Sequence, residues 1–374
     1  MTGVTKLLIT GGAGFIGANF VLYWRNLHPT DRIVVLDALT YAGNRSNLDA
    51  LKRDKLFEFV HGNIADAELT QALFRRHDFD LVVHFAAESH VDRSIVSSAT
   101  FVRTNIVGTH TLLECALEAW RPSMAGRRFH HVSTDAVFGS LGPDEPPFTE
   151  TSRYDPKSPY AASKAGSDFL VRSCAHTHGL PVTITSCSNN YGPYQFPEKL
   201  IPLMIVNAIG GQKLPIYGDG GNIRDWLHVD DHCAGIALVL KRGWLGETYN
   251  IGGAAELRNI DLVQLLCDEL DRRFAADRSL AARFPNCPAA NGRSTRELMT
   301  FVKDRPGHDR RYATCADKLA NELGFRATTP LTEGLRRTLD WYLNNEEWWR
   351  GIQSGAYRDW MKLQYGNVLS EPIA

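Results

Sequence analysis

The chain of 374 residues has no excess of charge of either sign: 41 lysines and arginines stand against 42 aspartates and glutamates. A balance of that kind argues against general binding to nucleic acid or to a membrane surface, so any anion must be held by a local site. No apolar run approaches the roughly 20 residues that span a bilayer, and the N-terminus lacks the basic, apolar, small-residue succession of a secretion signal. The expected compartment is the cytoplasm. Cysteine is sparse: Cys115, Cys174, Cys187, Cys233, Cys267, Cys287 and Cys315 are scattered, odd in number and form no C-x-x-C pair. Isolated thiols suit that pattern better than a disulfide framework, and the adjacent His130 and His131 would face opposite sides of a strand. No metal is expected, and there is no internal repeat.

What the chain does contain is a glycine turn, Thr10-Gly11-Gly12-Ala13-Gly14-Phe15-Ile16-Gly17, between the apolar run Leu7-Leu8-Ile9 and a helix-like stretch from Phe15 to Arg25. In a strand, turn, helix succession, Gly11 serves the tight turn, Gly14 the approach of a pyrophosphate and Gly17 close helix packing. The helix N-terminus offers free amides and a partial positive charge to the phosphates. A second apolar run, Ile33-Val34-Val35-Leu36, ends in Asp37, about 20 residues past Gly17, where a ribose-binding carboxylate is expected. An acid there repels a ribose phosphate and favours NAD over NADP, with Arg45 nearby as the opposing sign.

Ser158-Pro159-Tyr160-Ala161-Ala162-Ser163-Lys164 sets a phenol and an ammonium four residues apart. Side chains at i and i+4 share a helix face, so the Lys164 charge can favour a Tyr160 phenolate as a base near neutral pH. Alone, such a pair is more often an amphipathic surface helix. Beside a nicotinamide site it points to alcohol oxidation.

Further short strands, Phe57 to His61, Leu81 to Phe85, Phe129 to Val132 and Val182 to Thr185, alternate with helical stretches. That alternation predicts an α/β fold, a Rossmann-like doubly wound parallel sheet with ligands outside its carboxyl ends. Asn63-Ile64, Ala86-Ala87-Glu88-Ser89, Ser133-Thr134-Asp135 and Ser188-Asn189-Asn190 fall there. Residues 1–187 are expected to form the NAD-binding domain, with a return segment near 224–250, and 188–374 mainly a smaller α/β domain for substrate. Arg121 to Arg128 and Ala275 to Arg296 read as solvated loops.

Four longer segments carry a resemblance: Leu36 to Asn44, Ala86 to Ile95, Ser188 to Pro202 (SNNYGPYQFPEKLIP) and Asp304 to Tyr312 (DRPGHDRRY). With the glycine turn, they make the chain, from about Lys6 to Tyr365, resemble the extended short-chain dehydrogenase/reductases, most closely the dTDP-glucose 4,6-dehydratase family. The resemblance implies a tightly held NAD bordered by Gly11, Gly14, Phe15, Ile16, Gly17, Asp37, Leu39, Thr40, Asn63, Ile64, Phe85, Ala86, Ala87, Ser89, Thr104, Tyr160, Lys164 and Asn190. It implies a nucleotide-sugar substrate held by Ser89, Thr134, Asn189, Lys199, Leu200, Pro215, Tyr217, Arg224, Asn259, Arg305, His308 and Tyr365. Tyr160 would take the C4 hydroxyl proton while NAD takes the hydride, with Thr134 bonded to the same oxygen. Asp135 would protonate the departing C6 hydroxyl, the following residue would take the C5 proton, and the hydride would return at C6. The family also implies a homodimer packed through the Tyr160 helix and the helix near Asn105 to Ala119.

The chain departs from the family at the base: Ser133-Thr134-Asp135-Ala136-Val137-Phe138-Gly139 has Ala136 where the family has Glu, and Phe138 where Tyr is usual. A methyl group accepts no proton. Three explanations stand: an engineered substitution, a natural relative with different chemistry, or another base such as Glu88, His90 or Glu198. Beside the dehydratase stand a nucleotide-sugar 4-epimerase, which needs no C5 base, and a catalytically silent nucleotide-sugar or NAD-binding regulator. Lesser departures are Asn63 for the family's Asp and Ala38 for a common Lys.

Overall fold

The computed structural model describes residues 4–353 and 356–366. Its strands are β1 (Lys6–Thr10), β2 (Arg32–Asp37), β3 (Phe57–His61), β4 (Leu81–His84), β5 (Arg128–Thr134), β6 (Val182–Cys187), β7 (Asn189–Tyr191), β8 (Leu214–Tyr217), β9 (Ile223–His228), β10 (Thr248–Ile251), β11 (Glu256–Arg258) and β12 (Met299–Val302). Seven of them form one wholly parallel sheet in the order β3-β2-β1-β4-β5-β6-β10. The chain leaves β1 in one direction and returns to start β4 on its other side. That reversal opens a crevice at the carboxyl ends of the strands.

Strands covered on both faces need unbroken apolar runs, and Leu7, Leu8, Ile9 and Ile33 to Leu36 are fully buried. On one face Leu7, Ile9, Ile33 and Val35 pack against Phe20, Val21 and Trp24 of helix Phe15–Leu27 and Ile236 and Val239 of helix Val229–Arg242. On the other, Leu8, Val34, Val82 and Phe129 meet helices Ala67–His77, Thr109–Trp120 and Pro159–His178. Each such side chain contributes about 1.5–3 kcal/mol by leaving water.

A second core surrounds helices Leu200–Ile209, Asn259–Ala276 and Leu331–Asn344. Its sheets are β11-β9-β7 and β12-β8. The segment 224–250 is shared between the two cores: β9 pairs with β7 and β11, whereas helix Val229–Arg242 and β10 lie with the large sheet. The stretch 275–296 is not the solvated loop expected. Leu280, Phe284 and Cys287, spaced i, i+4, i+7, bury against Phe274 through helix Ser279–Arg283 and the turn that follows, and Thr295 Oγ1 donates to Asp271 Oδ1 at 2.8 Å. The exposed Arg and Asn residues around that stripe hide it in the sequence. Among the described residues no helix is long and apolar enough to cross a membrane.

Candidate active site

A cleft of ≈ 470 Å³ lies outside the carboxyl ends of the central strands and extends to β8 and β9 of the smaller body. Every residue expected at the cofactor borders it except Leu39. Leu39 sits at φ 48 and packs its side chain with the core around β1, while its amide donates to Asp37 Oδ1 at 2.8 Å. The left-handed turn thus aims the side chain inward and leaves only the backbone beside Asp37.

The glycine turn is built for close approach. Gly11 has φ 71, and a Cβ there would lie 2.5 Å from the Ala86 nitrogen; one on Gly17 would lie 2.2 Å from the Gly11 oxygen. Helix Phe15–Leu27 starts at Gly14 with no side-chain cap, so its first amides are left for an anion. Asp37 Oδ2 accepts from Ala13 N at 2.9 Å, yet each carboxylate oxygen keeps a lone pair for a ribose hydroxyl. Burial pushes its carboxyl up against those amide bonds. Arg45 stacks 4.6 Å over Phe59 and does not border the cleft, which leaves Asp37 as the charge beside the ribose position. Asn63 Oδ1 accepts from Ala65 N at 2.9 Å, so it tightens its own turn as well as facing the cleft. Backbone, helix end and carboxylate together fit a dinucleotide.

At the reactive centre β5 ends in Thr134, whose Oγ1 accepts from Ala136 N at 3.3 Å and donates to Asp135 Oδ1 at 3.3 Å. Asp135 is buried, with Oδ2 unpartnered among the described residues. Burial, then the Asp225 charge, raises its carboxyl to about 7 against the pull of Arg224. Such a group keeps its proton near neutrality and can give it up. Ala136 borders the cleft and packs with Val137, Phe138, Phe148 and Tyr312.

Ser158 Oγ accepts from Ala161 N at 3.2 Å and Pro159 opens the helix, so Tyr160 falls in its first turn and Lys164 one turn on, both on the cleft. Among the described residues no hydrogen bond joins Lys164 to the Tyr160 phenol, so the expected action of the ammonium would be through its charge. Lys164 Nζ donates to Val132 O at 2.8 Å and lies 3.4 Å from His131 Nε2. Burial, with Cys187, pushes the Tyr160 phenol above its usual range, and the Thr134 hydrogen bond opposes this. The i, i+4 spacing brings the residues to one cavity, but the lysine stem turns back to the strand carbonyl.

Of the expected substrate residues, Ser89, Thr134, Asn189, Lys199, Leu200, Pro215, Tyr217, Arg224, Asn259, Arg305 and His308 border the cleft. The side chain of Tyr365 lies outside the described residues. Arg224 is buried, donating to Asp309 O at 2.9 Å and lying 4.3 Å over the Tyr312 ring. Lys199 Nζ donates to Ser89 O at 2.9 Å, and Arg305 reaches Asp92 Oδ1 at 3.4 Å. Asn259 Oδ1 is buried and unpartnered among the described residues.

Several groups brace the site in ways the sequence does not announce. Asn105 donates to Glu88 O at 3.0 Å and Ser163 Oγ at 2.8 Å, tying the loop after β4 to the Tyr160 helix. It stands in a π-helical stretch, Val102–Gly108, a local widening often found at functional sites. Glu198 takes Arg93 Nη2 at 3.1 Å, and that guanidinium lies 4.0 Å from the Tyr41 ring and 4.2 Å from Trp360. Gln195 and Tyr312, which lie in the segments Ser188 to Pro202 and Asp304 to Tyr312, also border the cleft.

The family model described as GDP-mannose 4,6 dehydratase matches residues 8–338. The chain is 48% identical over 372 residues to dTDP-glucose 4,6-dehydratase 1 of Escherichia coli K12, covering 96% of this chain and 99% of that one. Among solved structures it is similar to DesIV, the dTDP-glucose 4,6-dehydratase of Streptomyces venezuelae crystallised with NAD. There the TM-score is 0.82 and the identity 48%, over 93% of this chain and 100% of that one. A UDP-glucose 4-epimerase from Thermotoga maritima shares the fold with TM-score 0.77 but 25% identity, over 91% of this chain and 100% of that one. With a family match over most of its length and near-half identity to relatives of equal extent, the chain belongs to the GDP-mannose 4,6 dehydratase family and groups there with the dTDP-glucose 4,6-dehydratases.

Proposed function

We infer that the protein is an NAD-dependent nucleotide-sugar dehydratase that acts on dTDP-glucose and is directed to the 4-keto-6-deoxy sugar. The observation that carries this reading is Asp135: a buried carboxyl raised to about 7, with one free oxygen, beside Thr134 and the Tyr160 and Lys164 pair on a single cleft. An epimerase has no use for an acid poised to protonate a leaving hydroxyl.

Gly11, Gly14, Gly17 and Asp37 would hold NAD, which when bound supplies a hydride acceptor at C4 and a donor at C6. Thr134 and Tyr160 would share the C4 oxygen: Tyr160 removes its proton and Thr134 holds it in place. The ketone acidifies C5–H, and Asp135 then gives its proton to the departing C6 hydroxyl. Arg224, Arg305 and Lys199 supply positive charge for the diphosphate. Ala136 leaves the C5 proton without the family's acceptor, so oxidation at C4 should outrun elimination. That vacancy is the one feature that favours the epimerase reading, while the identities of 48% against 25% favour the dehydratase.

A homodimer belongs to the same reading. Val107, and Phe169 on the Tyr160 helix, are exposed large apolar side chains on the two segments expected to pair.

The test is to incubate the protein with dTDP-glucose and with UDP-glucose, then identify the sugars by mass spectrometry and NMR. Slow appearance of the 4-keto-6-deoxy sugar, abolished by Tyr160→Phe, is expected. A C4 epimer would overturn the reading in favour of an epimerase, and the absence of any reduced nicotinamide would favour a silent binder.

A further inference from the structure

Behind the cleft, on the side of Lys164 away from substrate, lies a buried polar cluster that the proposed chemistry does not use. We propose that Asp168 is the positioning residue of the redox pair: its carboxylate, pinned by Ser133, Tyr154 and His131, is the counter-charge that keeps Lys164 an ammonium aimed along β5.

The geometry is specific. Ser133 Oγ donates to Asp168 Oδ2 at 2.7 Å and Tyr154 OH to the same oxygen at 2.9 Å. His131 Nε2 lies 3.1 Å from Asp168 Oδ1 and 3.4 Å from Lys164 Nζ, so one imidazole nitrogen touches both partners. Asp168 and His131 are fully buried and Lys164 nearly so. An ammonium in that setting needs an anion nearby, because burial without one drives it to shed its proton.

The surrounding charges leave Asp168 as that anion. Lys164 is faced from β5 by His131, from β6 by Cys187, from β4 by His84 and from its own helix by Tyr160 and Asp168. Burial lowers its pKa, and Asp168 is the strongest influence in the other direction. Burial pushes the Cys187 thiol up to about 12, while burial and then Lys164 hold His131 down at about 4, so neither supplies charge near neutrality. Asp168 itself meets the cost of burial, and the His131, Lys164 and Ser133 interactions bring it net below its usual value. Tyr154 is steadied by Arg172 Nη2 at 2.9 Å. Asp168 touches neither sugar nor cofactor position; it acts through the lysine.

The inference rests on Tyr160 and Lys164 being the redox pair. Removing a nearby opposite charge lowers a buried amine by about one to three pH units. In the full chain, Asp168→Asn should therefore move the Lys164 deprotonation midpoint down by at least about one pH unit. NMR titration of nitrogen-labelled lysine, with the Lys164 signal assigned by its loss in Lys164→Arg, reads this directly. The alkaline limb of C4 oxidation of dTDP-glucose by the NAD-loaded enzyme should move the same way. A variant that is slower at every pH with midpoint and limb unmoved would overturn the proposal, since a merely structural role predicts that result. If Asp168→Asn does not fold, Asp168→Ser, which keeps a hydroxyl for Ser133 and Tyr154, carries the same expectation. A parent chain that never oxidises dTDP-glucose counts against the dehydratase reading, whereas the NMR midpoint still decides for Asp168.

Discussion

If position 136 is where the C5 base is missing, Ala136→Glu should make dehydration fast. The Ala136 amide is held by Thr134 Oγ1 in the short turn Asp135–Phe138, and the residue borders the cleft. A longer side chain there has one open direction, because Val137, Phe138, Phe148 and Tyr312 pack the other side. A carboxylate entering the cleft would be raised by burial, with Arg224 opposing, and so would titrate closer to neutrality than a free glutamate. A positioned base contributes about 10² to 10⁴ in rate, or about 2.7–5.5 kcal/mol of barrier. Crowding the apolar side would take back about 1–3 kcal/mol of stability. The assay is formation of the 4-keto-6-deoxy sugar in deuterated water, with label counted at C5 by mass spectrometry. Elimination and C5 exchange should rise together by at least about 10²-fold, with NAD content unchanged. If the parent already eliminates rapidly and Ala136→Glu adds nothing, the base lies elsewhere and the assignment of this turn is wrong.

Gly14→Val and Asp37→Ala should each lower the NAD retained through purification while circular dichroism stays native; unchanged NAD in both would refute the cofactor placement. Asp135 has a folded pKa raised to about 7, so the native state holds a proton that the unfolded chain releases above its usual pKa. Its stabilisation is complete below about 4 and lost as pH rises through about 7, so urea titrations should show a steeper loss of stability across that window in the parent than in Asp135→Asn. An identical pH slope in the two would contradict the raised pKa. By light scattering at micromolar concentration the parent should be a dimer and Val107→Glu with Phe169→Lys a monomer. A monomeric parent removes the interface.

How much of this was legible in the sequence depends on how local its cause is. The parallel sheet could be read because each strand is a continuous apolar run between turns, and burial on both faces demands that pattern. The glycine turn could be read for the same reason, since Gly11 and Gly17 are required by contacts a few residues away or one strand over. The helices of 275–296 were lost because their anchor, Leu280, Phe284 and Cys287, is thin and set among charged and turn-forming residues. Leu39 was misread because a single left-handed residue reverses a side chain, and nothing in its identity announces that.

The reactive centre divides along the same line. That Tyr160 and Lys164 share a cavity follows from helix spacing, but what Lys164 does there depends on Val132 O, His131 and Asp168, of which only Asp168 lies on its own helix. Asp135 and Ala136 are neighbours in the chain, yet their surroundings differ in kind. The acid is tuned by Asp225 and Arg224, which arrive from β9, while position 136 leans on an apolar cluster whose Tyr312 ring Arg224 covers at 4.3 Å. On the proposed reading the chain keeps the groups to oxidise C4 and to protonate a leaving hydroxyl, and the C5 proton between those steps is the one left without the family's acceptor at position 136.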